Sequence, residues 1–136
     1  MQRICTLILI GIIAGCYQSK NDQYAKIINC YDGDTCTTNE GEKIRLACID
    51  TPELIGSQAN EIKAVAARDY LNELIAGRDV LINRITEDRY GRTVAEIYID
   101  GDNVQKILVE EGLAIIYEKY AHQCDWSRSI ILNSIY

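Results

Sequence analysis

The order of apolar and polar positions divides this chain into stretches of different character. Residues 4–13 form an apolar run broken only by Thr6 and Gly11. Residues 25–30, 35–38 and 43–49 are short, rich in β-branched residues or weakly alternating, and read as strands, with Asn39-Glu40-Gly41-Glu42 as a turn between the last two. After Ser57 the period becomes helical. Ala59, Ile62, Val65, Ala66, Tyr70, Leu71, Leu74 and Ile75 share one face, with Ser57 as N-cap and Gly77 as stop. Residues 80–85 and 93–99 return to strand patterns on either side of an Asp88–Gly91 loop. Asp100-Gly101 then turns the chain into a second helix ending at Gly112. Asp102 with Gln105 three residues on has capping-box spacing; Asn103 is the rival cap, but Lys106 could not complete the box. Residues 127–136 suggest a last short helix.

The resulting order is β-β-β-α-β-β-α. Five strands with a helix between the third and fourth are the layout of a five-stranded OB-fold barrel, a β-barrel with helices of the α+β class. At 136 residues there is room for one domain, expected over residues 24–136.

The apolar run has a different meaning. Met1-Gln2-Arg3 supplies a positive start, and the run is short for a membrane span, so residues 1–15 read as a signal peptide. Ile13-Ala14-Gly15-Cys16 resembles a bacterial lipobox, which makes Cys16 the candidate lipidation site and residues 16–23 a tether; an ordinary secretory cleavage is the other reading. Either way the expected location is outside the cytoplasm: a lipoprotein anchored in the membrane and facing the periplasm or cell exterior, or a secreted protein.

Export changes how the six cysteines are read. Cys5 leaves with the signal and Cys16 would carry lipid, so Cys30, Cys36, Cys48 and Cys124 remain in a disulfide-permissive compartment. Three pairings are possible. A tight hairpin around Gly33 would set Cys30 opposite Cys36 and leave Cys48 with Cys124; reduced core thiols are the other possibility. No spacing resembles a zinc site.

Formal net charge is −6, so any grip on nucleic acid has to come from a local basic site and not from long-range attraction. Three blocks carry such chemistry. They are Tyr31-Asp32-Gly33-Asp34-Thr35, the stretch from Ile44 to Glu53, and Asp88-Arg89-Tyr90-Gly91-Arg92. Asp34 and Asp50 fall at strand ends, and carboxylates with a backbone carbonyl suit a hard cation such as calcium or magnesium. Glu53, behind the chain's only proline, Pro52, is placed to act on a water. Arg45 and Arg92 are forked cations suited to phosphate. Asp32-x-Asp34 lacks the other ligands of an EF-hand loop. The lone histidine, His122, lies outside all three blocks, which argues against a Ser-His-Asp triad. Singly, Asp-Gly-Asp reads as a turn and each arginine as a surface ion pair; jointly they describe metal-assisted phosphodiester hydrolysis.

These blocks, together with Leu108-Val109-Glu110-Glu111-Gly112-Leu113-Ala114, resemble the staphylococcal nuclease family in order and spacing, from about Tyr24 to Tyr120. The resemblance implies a calcium-dependent endonuclease of DNA and RNA, expected as a monomer. Asp34, Asp50 and the Thr51 carbonyl would bind calcium. Glu53 would activate or orient water, Arg45 and Arg92 would hold the phosphate, and Arg89, Tyr90 and Tyr120 would contact the nucleotide. Products would carry 3′-phosphate ends. Some family members have cysteines matching Cys48 and Cys124. The chain also departs from the family: the segment after Glu53 is short, Glu118 falls where a substrate-contacting tyrosine is expected, and the C-terminal helix is abbreviated. A non-catalytic OB-fold lipoprotein that binds nucleic acid is the competing expectation.

Overall fold

A computed structural model describes residues 22–56 and 60–133. Strands β1 (Asp22–Cys30), β2 (Thr35–Thr38) and β3 (Lys43–Leu46) form a meander, followed by the short β4 (Ile49–Asp50) and helix α1 (Glu61–Ile75). Then come β5 (Asp79–Glu87), β6 (Thr93–Ile99), β7 (Asp102–Asn103), α2 (Val104–Glu110) and β8 (Ile115–Ile116). A 3₁₀ helix (Glu118–Gln123) and α3 (Asp125–Asn133) complete the described chain. The sheet order is β3-β2-β1-β5-β6-β7, and a parallel pairing of β3 with β6 closes it. Strands β1, β2, β3, β5 and β6 therefore form the expected five-stranded OB-fold barrel.

The barrel interior is filled by branched aliphatics that alternate inward, among them Ile27, Ile44, Leu46, Val80, Ile82 and Ile97, all fully buried. Helix α1 closes one end. Ala64, Ala67, Leu71 and Ile75 make its buried face. Asn72 on the same helix brackets the end of β1: its Oδ1 accepts from the Cys30 amide at 2.7 Å and its Nδ2 donates to the Cys30 carbonyl at 2.8 Å. Cys36 lies directly opposite Cys30 in the β1–β2 register, and the two form a disulfide.

Four expectations need correction. The third strand stops at Leu46 instead of running to Ile49, because the chain turns at Ala47-Cys48, where Cys48 adopts φ +66°. A positive φ is uncommon for a residue with a side chain. Here the turn is held from outside: the Cys48 carbonyl accepts from Tyr117 N at 2.9 Å, and its sulfur is bridged to Cys124. Ile49 and Asp50 thus begin a separate ladder with β8. Secondly, α1 is capped by Asn60, whose Oδ1 accepts from Lys63 N; the predicted cap, Ser57, lies outside the described residues. Thirdly, Asn103, not Asp102, caps α2 by accepting from Lys106 N at 2.9 Å.

Gln105 is accordingly not a capping-box partner. It is fully buried, accepting from Ile97 N at 3.1 Å and donating to Ala95 O at 2.9 Å. On this edge of β6 the pairing with β3 ends at Ala95 and the pairing with β7 begins at Tyr98, and Gln105 spans the gap from the helix, bonding Ile97 N and sharing the Ala95 carbonyl with Ala47 N. Finally, α3 begins at Asp125, two residues before the predicted start. This short tail is tied down twice, by the Cys48–Cys124 disulfide and by Trp126 Nε1 donating to the buried Glu96 carboxylate at 2.9 Å. The signal, tether and Cys16 expectations rest on residues 1–21 and fall outside the described residues, apart from residues 22 and 23, which begin β1.

Candidate active site

The site grows from the turn between β1 and β2. Asp32 Oδ1 accepts from Asp34 N at 3.0 Å, and Tyr31 N bonds Thr35 O at 2.9 Å, so the Asp-Gly-Asp segment is the turn its composition suggests. It is also a point of close packing. A Cβ on Gly33 would lie 2.8 Å from Ala67 Cβ and 3.0 Å from Thr51 Cβ and Cγ2. Gly33→Ala should therefore destabilise the fold by about 1–3 kcal/mol, read as a lower denaturant midpoint at unchanged slope. An unchanged midpoint would show that α1 yields freely at this contact.

This packing directs Asp34 inward. Its side chain is 10 % exposed, with Thr51 Oγ1 donating to Oδ2 at 2.9 Å and Thr35 Oγ1 donating to Oδ1 at 3.2 Å. Arg45 Nη2 lies 3.2 Å from Asp34 Oδ2 and 3.7 Å from Asp50 Oδ1, so one guanidinium stands between the two carboxylates. It is fixed there by donating to the carbonyls of Leu46 and Ile49. Burial raises the Asp34 carboxyl to about 6; Arg45 pulls it down and the neighbouring Asp32 charge pushes it up. The one Arg45 guanidinium thus serves both carboxylates.

Arg92 reaches the same end of the barrel by a different route. Parallel closure pairs Arg45 with Val94, two residues beyond Arg92. Gly91, at φ +76°, makes the tight return that delivers it. Asp88 organises this loop by accepting from Tyr90 N at 2.9 Å, Arg92 N at 3.0 Å and Arg92 Nε at 2.7 Å. Burial works to raise the Asp88 carboxyl, but these bonds outweigh it and hold the group below its ordinary range. Arg92 Nη1 also donates to Thr35 Oγ1 at 3.3 Å. Thr35 therefore joins the two halves, accepting from Arg92 and donating to Asp34.

The structure thus brings Asp34, Arg45, Asp50, Thr51 and Arg92 into one bonded cluster. Glu53 stands apart. It is exposed, its carbonyl accepts from Asn60 N at 3.0 Å, and its carboxylate takes no hydrogen bond or ion pair from the described residues. Asp50 is half exposed and open to solvent on the same strand end.

Beside the cluster lies a cavity of about 480 Å³, lined in part by Arg45, Arg89, Tyr90, Arg92, Tyr117, Lys119, Tyr120 and Gln123. Tyr90 carries two guanidinium groups near its ring, Arg89 at 4.9 Å and Arg92 at 5.5 Å. Tyr120 meets Tyr117 edge to face at 5.0 Å, with Lys119 Nζ 5.1 Å from its ring. An acidic chain thus gathers four cationic side chains and three tyrosines around one concavity, although Glu87 and Asp88 line it too. Such a surface suits a phosphate backbone with bases stacked on aromatic faces. Asp34, Asp50 and Glu53 do not line it.

Thr35 and Asp88 lie in the blocks singled out from the sequence but carry no role there, and Tyr117, Lys119 and Gln123 are not singled out. The resemblance places the Glu118 carboxylate at a substrate-contacting position. Tyr117 lines the cavity and Glu118, the first residue of the 3₁₀ helix, does not. The alternation of Ile115, Ile116 and Tyr117 gives no sign of that helix.

No group of three His, Cys, Asp or Glu side chains arranged to hold a metal occurs among the described residues. Asp34, Asp50 and the Thr51 carbonyl offer hard oxygens, the donor type that calcium and magnesium take, with the Arg45 guanidinium standing between the two carboxylates.

A closed OB-fold barrel with an acidic cluster and an arginine–tyrosine cavity at one end defines the class of protein. Residues 43–133 match the family described as Staphylococcal nuclease homologue, and the chain belongs to that family. A Haemophilus influenzae protein named "Uncharacterized endonuclease" is 33 % identical over 120 residues, 85 % of this chain and 64 % of that protein. A protein of the same name from Escherichia coli O157:H7 is 33 % identical over 103 residues, 73 % of this chain and 64 % of that protein. The Arabidopsis thaliana "Staphylococcal-like nuclease CAN1" is 37 % identical over 87 residues, 62 % of this chain and 25 % of that protein. The chain therefore spans a little under two thirds of the length of the two bacterial relatives.

Proposed function

We propose that this protein is a metal-dependent endonuclease that hydrolyses phosphodiester bonds of DNA and RNA, leaving 3′-phosphate ends. The observation that carries this reading is the convergence of Arg45 and Arg92 at one barrel end, joined through Thr35 and Asp34. In the reaction, Arg45 and Arg92 grip the scissile phosphate and offset the charge that grows on it. Glu53 accepts a proton from the attacking water; the water oxygen bonds phosphorus, the bond to the 5′ oxygen breaks, and that oxygen takes a proton from solvent. Tyr90, Tyr120 and Arg89 orient the nucleotide. Asp34, Asp50 and the Thr51 carbonyl would hold calcium, which supplies positive charge beside the phosphate when bound.

The family relationship supports this reading, as do the endonuclease names of the relatives. Location is part of the proposal: a monomer exported behind the 1–15 signal, tethered through lipid on Cys16 or secreted free. A binder that does not cut is the rival, and one observation favours it. Arg45 stands between Asp34 and Asp50, where a bound cation would compete with it. End-labelled single-stranded DNA and RNA, incubated with the purified chain in calcium or in excess chelator, separate the two. The enzyme cuts both strands in calcium alone, whereas the binder retards them on a gel and leaves them whole.

A further inference from the structure

The Cys48–Cys124 disulfide takes no part in that reaction, yet it lies against the cavity. Cys48 is one of the lining residues, and Cys124 directly follows Gln123, the last lining residue in the sequence. The segment 117–123, which leads directly into Cys124, supplies Tyr117, Lys119, Tyr120 and Gln123 to one wall.

This segment has little of its own to hold it. Its 3₁₀ helix buries only Ala121 and has no side-chain cap at its start. Upstream it is attached through the two-residue β4–β8 ladder and the bond from Tyr117 N to Cys48 O. Downstream the disulfide is its covalent tie to the barrel, set in a small apolar cluster of Ala47, Cys48 and Cys124 backed by Ile85, Val94 and Trp126, while α3 adds the Trp126–Glu96 bond and the buried Ser127 hydroxyl, which donates to the Ala121 carbonyl at 2.7 Å. The opposite wall is secured without the segment: Arg45 by Asp34 and the Ile49 carbonyl, Arg92 by Asp88 and Thr35.

We propose that Cys48 and Cys124 are positioning residues. Their disulfide holds the 117–123 wall at the separation at which its tyrosines and lysine grip a nucleic-acid strand, and so sets affinity without touching the bond-breaking groups. The identity of the ligand rests on the nuclease reading above. Reduction by a dithiol breaks the S–S bond, leaves two protein thiols, and oxidises the dithiol to its own disulfide. The freed wall then occupies its gripping position for only a fraction of the time, and apparent affinity falls by that fraction. Strand binding is thereby coupled to an oxidising environment, and the same chain in a thiol-rich cytosol is a weak binder.

The test compares the full-length parent with C48S/C124S. KM and kcat are measured on single-stranded DNA in calcium. Binding of fluorescein-labelled oligothymidylate is measured by anisotropy in an E53Q background, so that the strand survives. The expected result is about tenfold weaker binding and about tenfold higher KM, with kcat within about twofold and far-ultraviolet circular dichroism unchanged. Equal affinity and KM in the two proteins would overturn the proposal, as would a lower kcat at constant KM. If the serine variant folds poorly, C48A/C124V refills the apolar cluster and is read in the same way. A parent that binds oligothymidylate without cutting would defeat the nuclease reading alone, and the anisotropy comparison would still decide the role of the disulfide.

Discussion

Arg92→Ala lowers kcat on single-stranded DNA by about 10²- to 10³-fold, the usual loss when one preorganised contact to a developing oxyanion is removed. The effect should fall on the chemical step. Asp88 and Thr35 hold the guanidinium in place before substrate arrives, so the side chain is paid no ordering entropy at the moment of reaction. Arg92→Lys should recover only part of the rate, because an ammonium keeps the charge and loses the fork. Stability should change little: the Arg92–Asp88 pair is partly exposed, with side chains at 27 % and 19 %, and such pairs contribute at most about 1 kcal/mol. Stopped or steady-state cleavage alongside chemical denaturation checks both halves. Full activity in Arg92→Ala would place the phosphate elsewhere.

Glu53→Gln should reduce kcat by about 10²- to 10⁴-fold, the range for loss of a positioned general base. Glutamine keeps the shape and cannot take the proton. Because the Glu53 carboxylate has no partner among the described residues, folding should not register the change, and the denaturant midpoint should stay where it was. A variant as active as the parent would mean that another group, or solvent alone, receives the proton.

The barrel was legible because its strands obey local rules. β-branched runs, turn residues and a clear shift to helical period before α1 are all visible along the chain. What escaped was non-local. The break at Ala47-Cys48 carries no glycine, proline or asparagine; it is imposed by Tyr117 and Cys124, both about seventy residues away or more. Gln105 has the spacing of a cap partner, and spacing cannot show the gap between the β3 and β7 pairings of β6 that its side chain fills. At the site, the residue types announced cation and phosphate chemistry, and the fold brings Asp34, Arg45, Asp50, Thr51 and Arg92 together. The pairing of Arg45 with both carboxylates depends on barrel closure and has no signature in the order of residues. Thr35 and Asp88 stand in the quoted blocks without a role because their part is to hold Arg92, which only the folded geometry shows.

The central claim is that this cluster hydrolyses phosphodiesters with a divalent cation. It is tested most directly by identifying the ends of the products. A 5′-labelled oligodeoxynucleotide is incubated with the purified chain and calcium, and the fragments are resolved before and after phosphatase treatment. Fragments whose mobility shifts on removal of a 3′-phosphate, and which are absent when chelator replaces calcium, are the expected result. An intact strand, or fragments ending in a 3′-hydroxyl, would contradict it.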